Sequence, residues 1–410
     1  MIEASILENI KKYNQEHLLR YYETLSDEDK KKYEKQLEEL DFTYVDLFNN
    51  KDNNCKEDKN VFEPLQAMKI SEINQRKEEF KKAGIEALKK KKVGAVLLAG
   101  GQGTRLGFDK PKGMFNIGVN KQLYIFERLV SNIMDVVKET GEVVPLFIMT
   151  SEINDHDTRE FFEQNNYFGY DKDSVFFFVQ SMAPSISFDG KFYMTAKDKI
   201  SLSPNGNGGW FTSLVKAGLM DKIKEIGIEW LNVFSVDNVL QRIANPEFVG
   251  ATILSGYPSS SKVVKKADPH ERVGVMCRKN GKPSIVEYYE LTEDMANEKD
   301  ENGEPAYNYG VILNYMFNIE KLMEIAGNSL VIHMVEKKIP YIDQNGDEVK
   351  PDTPNGYKFE TLILDMINMF DNCLVYEVER KNEFAPVKNK EGVDSIQTAR
   401  ELLLYNGVEI

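Results

Sequence analysis

Between residues 1 and 90 the apolar positions recur at helical spacing among charges: Ile6, Ile10, Tyr13, Leu18 and Tyr21 set the rhythm. Ser26-Asp27-Glu28-Asp29 reads as a capped start for a helix running through Leu40. The stretch 51–59 is polar and reads as a loop. Residues 71–92 read as a highly charged helix whose lysine run is a solvated face. At Val93 the texture changes. VGAVLLAG is a short β-branched, apolar run ending in glycines, the mark of a buried strand. Residues 121–139 return to helical spacing, through Leu123, Ile125, Phe126, Leu129, Ile133 and Val136. Buried strands are expected at 143–151, 175–179, 231–236 and 250–256, with helices between several of them.

Strands alternating with helices predict an α/β fold with a doubly wound, largely parallel sheet. Residues 262–320 differ, because runs such as VGVMCRKNGKPSIVEYYEL alternate about Asn-Gly turns and suggest antiparallel hairpins. Asn302-Gly303 and Asn345-Gly346 read as hairpin tips, and 395–405 as a short closing helix. The expected organisation is an N-terminal helical arm at 1–90, a central Rossmann-like α/β domain at 91–385 and a small C-terminal extension at 386–410.

Composition narrows the function. Across 410 residues, 52 basic and 66 acidic side chains leave a net charge of −14, which repels nucleic acid and anionic lipid. Cys55, Cys277 and Cys373 lie far apart, without metal spacing, so a disulfide framework is not expected and a reducing cytoplasm is. The N-terminus has charges throughout and no signal-peptide core, and no apolar run approaches the ~20 residues of a membrane span. A soluble chain, monomeric or weakly homo-oligomeric, is expected. His156, His270 and His333 are scattered and read as structural, and 343–347 reads as a turn rather than a Ca²⁺ loop.

Against that acidic background, one segment concentrates positive charge. Leu98-Ala99-Gly100-Gly101-Gln102-Gly103-Thr104-Arg105-Leu106-Gly107, then Pro111-Lys112, feeds a strand into four glycines and two cations. Glycines let successive backbone N–H groups approach phosphate oxygens, and a guanidinium adds a forked clamp. Walker A is excluded because Phe108-Asp109 follows Gly107. The dinucleotide fingerprint is excluded because Leu106 stands where its third glycine belongs. A phosphorylated ligand is the expectation.

LAGGQGTRLG followed by PKG resembles the signature of the eukaryotic-type UDP-sugar pyrophosphorylases, particularly their N-acetylhexosamine branch. The resemblance implies a nucleotidyltransferase fold, with Leu98, Ala99, Gly100 and Gly101 against uracil and ribose and with Arg105 and Lys112 on the phosphates. Further segments are similar to the same family in the same order. Gln180, in FFFVQSMAPS, resembles the residue that reads the uracil edge. In NGNGG, Gly206 resembles a nucleotide contact and Asn207 a sugar contact. Asp237 ends the strand LNVFSVD and reads either as a helix N-cap or as a metal ligand; the resemblance implies the second, with Mg²⁺ or Mn²⁺ as cofactor. Glu287-Tyr288 and Asn314 resemble sugar-contacting residues, and Gly274 leaves room for an acetamido group. Taken singly, Lys358 in NGYKFE and Lys388 in EFAPVKN read as surface lysines. The resemblance directs them to the nucleotide phosphates and the sugar phosphate.

The implied reaction joins UTP and N-acetylglucosamine 1-phosphate to give UDP-N-acetylglucosamine and pyrophosphate by in-line attack on the α-phosphorus, with Arg105, Lys112 and Lys388 screening the meeting of two anions. A UDP-glucose or broad-specificity UDP-sugar pyrophosphorylase is the nearest alternative. A glycosyltransferase is less apt, because Asp237-Asn238 replaces the usual D-x-D after a strand. A non-catalytic UDP-sugar-binding protein is the alternative of another class.

Overall fold

The computed structural model describes residues 2–50, 60–325 and 330–410; the expected loop at 51–59 and Cys55 lie outside them. The chain divides into two compact units, Met1–Asn60 with Ser181–Gly209 and Leu330–Leu362, and Val61–Gln180 with Trp210–Ser329 and Ile363–Ile410.

The second unit is built on a ten-stranded sheet among the described residues. At its heart Trp230–Ser235, Val93–Leu98, Leu146–Thr150 and Val175–Val179 lie side by side and parallel. The strand Val93–Leu98 is buried along its whole length, which is why it reads as continuously apolar. Tyr309–Asn318 joins antiparallel to Trp230–Ser235, and Val275–Lys279 turns back on Lys282–Val286. Asn280 (φ 52°) and Gly281 (φ 80°) make that turn, as the Asn-Gly signal requires. The parallel register aligns Leu98 with Ser235 and Met149, and Thr150 with Val179. The loops after four strands therefore leave the sheet at one edge.

The expected strand at 250–256 is a helix, Pro246–Ser255. Asn245 caps it, accepting from the Phe248 N–H at 3.0 Å; Pro246 occupies its first turn and Gly256 (φ 69°) ends it. Burial on nearly all sides hides its helical rhythm, and a short apolar run then looks the same in either state. Its partner is the helix Lys77–Lys89. A Cβ on Gly250 would overlap the Phe80 carbonyl, and one on Gly84 the Pro246 carbonyl. The two backbones touch where the glycines stand. Gly250→Ala is therefore expected to destabilise this unit by about 1–3 kcal/mol, the scale of overpacking, measured by urea denaturation.

The N-terminal helices do not form a separate arm. Ser26 caps Asp27–Glu39 as expected, accepting from Asp29 N–H. Yet that helix and Ala4–Lys12 share a core with later segments, from Ile10, Tyr33 and Phe48 to Ala183, Phe192 and Phe359. Buried Gln15 donates to Gly190 O (2.8 Å) and accepts from Phe192 N (2.9 Å). The strand Gly356–Glu360 pairs with His333–Lys337 and with Ile186–Ser187. The helices Ile70–Gln75 and Lys77–Lys89 belong instead to the sheet unit, as does the C-terminal segment. There Leu403 is buried, and Arg400 donates to the carbonyls of Ile117 and Gly118 at 2.9 and 3.0 Å. The boundaries expected at 90 and 386 are thus not where the chain divides, because long-range pairing gathers distant segments within each unit. No described helix is long and apolar enough to cross a membrane.

Candidate active site

At the edge where four strands end, the glycine-rich loop leaves Leu98 and folds on itself. Gly103 N–H donates to Lys110 O (3.0 Å) and Lys112 N–H to Gly101 O (3.2 Å). Thr104–Leu106 forms a short 3₁₀ turn closed by Gly107 at φ 72°. The position of a Cβ on Gly101 meets nothing within 4 Å, whereas one on Gly100 would overlap the Gln180 amide. The loop thus offers bare backbone on one side and rests on buried Gln180 on the other. Gln180 is held at the end of its strand by its N–H to Thr150 O (2.9 Å).

Sequence reasoning missed Asn154. It is fully buried, and its amide donates to Ala99 O (2.9 Å) and Gly101 O (3.4 Å) while its oxygen accepts from Ser151 N–H (2.7 Å). It splints the loop from the turn after the neighbouring strand. An asparagine just past a buried strand was the available signal.

The two cations of the loop differ. Arg105 is exposed and forms no ion pair with any described residue. Lys112 is only 7% exposed, and its ammonium is ion-paired with the Asp237 carboxylate. Asp237 stands just beyond Trp230–Ser235, its N–H on Ser235 Oγ (3.1 Å), and its carbonyl accepts from Val387 N–H (2.9 Å). EFAPVKN thus runs beside Asp237-Asn238, braced by Ala385 N–H to Asn238 Oδ1 (2.9 Å). Lys388 lies one residue beyond Val387, its ammonium on Asp394 at 3.0 Å.

A second cluster gathers at the antiparallel strands. Where a Cβ of Gly274 would stand, Ile285 Cγ2 is 2.9 Å away, Val311 Cγ2 3.5 Å and Glu287 Oε2 3.7 Å. The structure therefore joins Gly274 to Glu287 and adds Val311. Tyr288 is exposed beside Glu287, its ring edge-on to that of Tyr289 at 5.3 Å.

Asn314 is placed differently from the expected sugar contact. It is fully buried; its oxygen accepts from Asn232 Nδ2 (2.9 Å) and its amide donates to Gln241 Oε1 (3.2 Å). Gln241 in turn donates to Ser235 O (2.6 Å) and Asn238 O (2.9 Å). Alternation along Tyr309–Asn318 turns Gly310, Ile312 and Asn314 inward, leaving Val311 and Leu313 half-buried. Asn314 consequently braces the turn that carries Asp237.

Gly206, Asn207 and Lys358 belong to the other unit. Within it, Gly206 (φ 85°) packs so closely on Thr361 that a Cβ would overlap the Thr361 carbonyl. Asn205 O accepts from Thr361 N–H (2.6 Å), and Gly208 N–H donates to Thr361 O (2.9 Å). Lys358 lies three residues before Thr361, half-buried, and burial lowers its ammonium pKa below the usual lysine range. The structure thus brings NGNGG beside the end of NGYKFE.

Among the described residues no three His, Cys, Asp or Glu side chains cluster as a ready-made metal cage. Asp237 offers the carboxylate that directly follows the strand Trp230–Ser235 and meets the glycine loop through Lys112. That suits a hard cation bound through one carboxylate and substrate phosphates, as Mg²⁺ commonly is.

The chain matches the family model described as UTP--glucose-1-phosphate uridylyltransferase over residues 37–404. It is 38% identical over 336 residues to UDP-N-acetylhexosamine pyrophosphorylase-like protein 1 of Homo sapiens, covering 79% of this chain and 66% of that protein. The chain thus spans just under two thirds of that relative's length. It is 36% identical over 428 residues to UDP-N-acetylglucosamine diphosphorylase 2 of Arabidopsis thaliana, covering 98% of this chain and 83% of the plant protein. The uridine diphosphate N-acetylglucosamine pyrophosphorylase of Trypanosoma brucei, solved in complex with inhibitor, is similar at a TM-score of 0.83 and 28% identity, over 97% of this chain and 83% of that one. Matched by the model over most of its length, and by the plant relative over nearly all of it, the chain belongs to the UTP–glucose-1-phosphate uridylyltransferase family.

Proposed function

We propose that the protein joins UTP and N-acetylglucosamine 1-phosphate to give UDP-N-acetylglucosamine and pyrophosphate. The observation that carries this is the glycine loop splinted by Asn154 and seated on Gln180, with Arg105 exposed at its tip and Lys112 and Asp237 paired beside it. Backbone amides and two cations gathered at the strand ends suit a triphosphate. The sugar phosphate oxygen attacks the α-phosphorus in line; a new P–O bond forms as the bond to the β-phosphate bridging oxygen breaks. The leaving pyrophosphate takes the electron pair. A phosphate monoester is already an anion at neutral pH, so no general base is required. What the protein must overcome is repulsion between anions, and positioned cations do so most effectively where water is excluded.

Arg105 clamps the outer phosphates, and Lys112 turns from Asp237 to the triphosphate as it arrives. Lys388, on the segment pinned to Asp237, takes the sugar phosphate. Asp237 would hold a Mg²⁺ or Mn²⁺, which would supply Lewis-acid neutralisation of the triphosphate. Gln180 reads uracil with an amide that donates and accepts at once. Glu287 accepts from sugar hydroxyls and Tyr288 covers the ring; the assignment of the acetamido group to Gly274 rests on the sequence resemblance, because Ile285 fills the space a Cβ would take there. The roles of Gly206, Asn207 and Lys358 rest on their local sequence resemblance alone. A reducing compartment such as the cytoplasm suits the buried free thiols Cys277 and Cys373, both pushed up to about 12 by burial.

A pyrophosphate-release assay with UTP, Mg²⁺ and a panel of sugar 1-phosphates tests this reading. Release is expected fastest with N-acetylglucosamine 1-phosphate. A preference for glucose 1-phosphate would reassign the sugar, and no release with any sugar would sink the reaction.

A further inference from the structure

On the sheet unit, away from the glycine loop, a cleft of about 300 Å³ opens beside the helix Ile125–Thr140. Arg128 and Asn132 reach it from one stripe of that helix, Arg242 and Asn245 from the loop after Asp237, and Asn382 and Asn406 from the C-terminal part. Arg128 is largely buried, and its Nε finds no acceptor among the described residues; one Nη donates to Ser131 Oγ at 3.3 Å. Arg242 is exposed and forms no ion pair with a described residue, its backbone alone engaging Lys262 and Glu383. Two carboxylates also line the cleft, but each has its own lysine. Asp135 meets Lys138 at 3.3 Å, and Glu139 meets Lys81 at 2.6 Å.

The buried, unanswered N–H of Arg128 is costly, with Asp135 attracting that guanidinium only from beyond ion-pair distance, and Arg242 brings a second unpaired charge to the same cleft. A tetrahedral oxyanion answers both charges, because each guanidinium presents a planar fork that matches phosphate geometry. Asn132 and Asn406 already spend their amides on backbone carbonyls, so the two guanidiniums are what the cleft offers an anion. The volume exceeds what bare phosphate needs and suits a small phosphate monoester. We propose that this cleft is a second anion site, distinct from the glycine loop, which takes a small phosphate monoester between Arg128 and Arg242.

The site also has a route to the catalytic edge. Asn132 donates to Val239 O (3.2 Å) and Gln241 O (3.0 Å), and Gln241 holds Ser235 and Asn238 on either side of Asp237. Asn382 directly precedes the segment that carries Lys388. An anion that draws these walls together steadies both turns.

The test is a thermal-shift titration with glycerol 3-phosphate and with inorganic phosphate, at constant ionic strength against chloride and without UTP or divalent metal. The parent protein is expected to show a saturable rise in melting temperature. Arg242→Gln, an exposed and fold-neutral change, is expected to weaken the apparent affinity at least ~10-fold. Arg105→Ala is expected to titrate like the parent. Tighter binding of glycerol 3-phosphate than of phosphate supports an ester site, and equal binding supports an anion site filled by phosphate itself. No saturable shift beyond chloride, an unchanged Arg242→Gln titration, or loss in Arg105→Ala overturns the proposal. None of these results depends on the uridylyltransferase reaction, which stands or falls on pyrophosphate release.

Discussion

Arg105→Ala is expected to lower the rate of pyrophosphate release by at least ~10²-fold while leaving the unfolding midpoint unchanged. Both halves follow from where the side chain sits. Arg105 is exposed on a 3₁₀ turn whose geometry comes from backbone bonds and from Gly107 at φ 72°. With no ion pair to any described residue, it contributes little to folding, and exposed substitutions of this kind usually fall within about 0.5 kcal/mol. Its fixed charge instead awaits a ligand. Lys112→Ala is expected to lose turnover on the same scale but to lose stability as well, by about 1–3 kcal/mol. Its ammonium is buried against Asp237, and truncation leaves that carboxylate without its partner. The pair of variants therefore separates a cation held for the substrate from one that also holds the site together. Near-parent turnover in Arg105→Ala would remove the guanidinium from the phosphate chemistry. A stability loss equal to that of Lys112→Ala would show instead that it is structural.

Much of this edge was legible because its signals are local. VGAVLLAG announces a buried strand, and the glycines after it announce a tight turn with bare backbone; both are properties of consecutive residues. The parallel register then had to bring Gln180 and Asp237 to the same edge, since each ends a strand of one sheet. What stayed hidden was long-range or inward-facing. Asn314 matched a motif, but only strand alternation and its bonds to Asn232 and Gln241 reveal a brace. Residues 250–256 read as a strand in sequence because a helix buried on nearly every side loses its polar stripe. The division of the chain leaves no local mark in the sequence because 181–209 and 330–362 are insertions whose partners lie far away in sequence. Buried Gln15 reaches across 175 residues to Gly190, a pairing to which no periodicity points.

Lys262 had no sequence signal at all, yet it is expected to be the most stability-sensitive position near the site. It lies mid-strand in Ser259–Lys265, fully buried, with its ammonium 2.5 Å from Glu383 and 2.8 Å from the Arg242 carbonyl. Burial pulls its pKa below the usual lysine range, with Glu383 opposing that pull. Removing one member of such a pair typically costs about 3–5 kcal/mol, because the survivor is an uncompensated charge in the interior. Lys262→Ala should show that loss in urea denaturation followed by tryptophan fluorescence, which reports on this unit alone because Trp210 and Trp230 both lie within it. Replacing both charges, as Lys262→Met with Glu383→Gln, should recover most of the loss, since neither group is then left ionised and alone. Glu383 begins the segment that leads to Lys388, so the single variant should also raise KM for the sugar phosphate more than it changes kcat. A Lys262→Ala protein as stable as its parent would mean that water reaches this pair and that the segment is anchored by its bonds to Asp237 and Asn238.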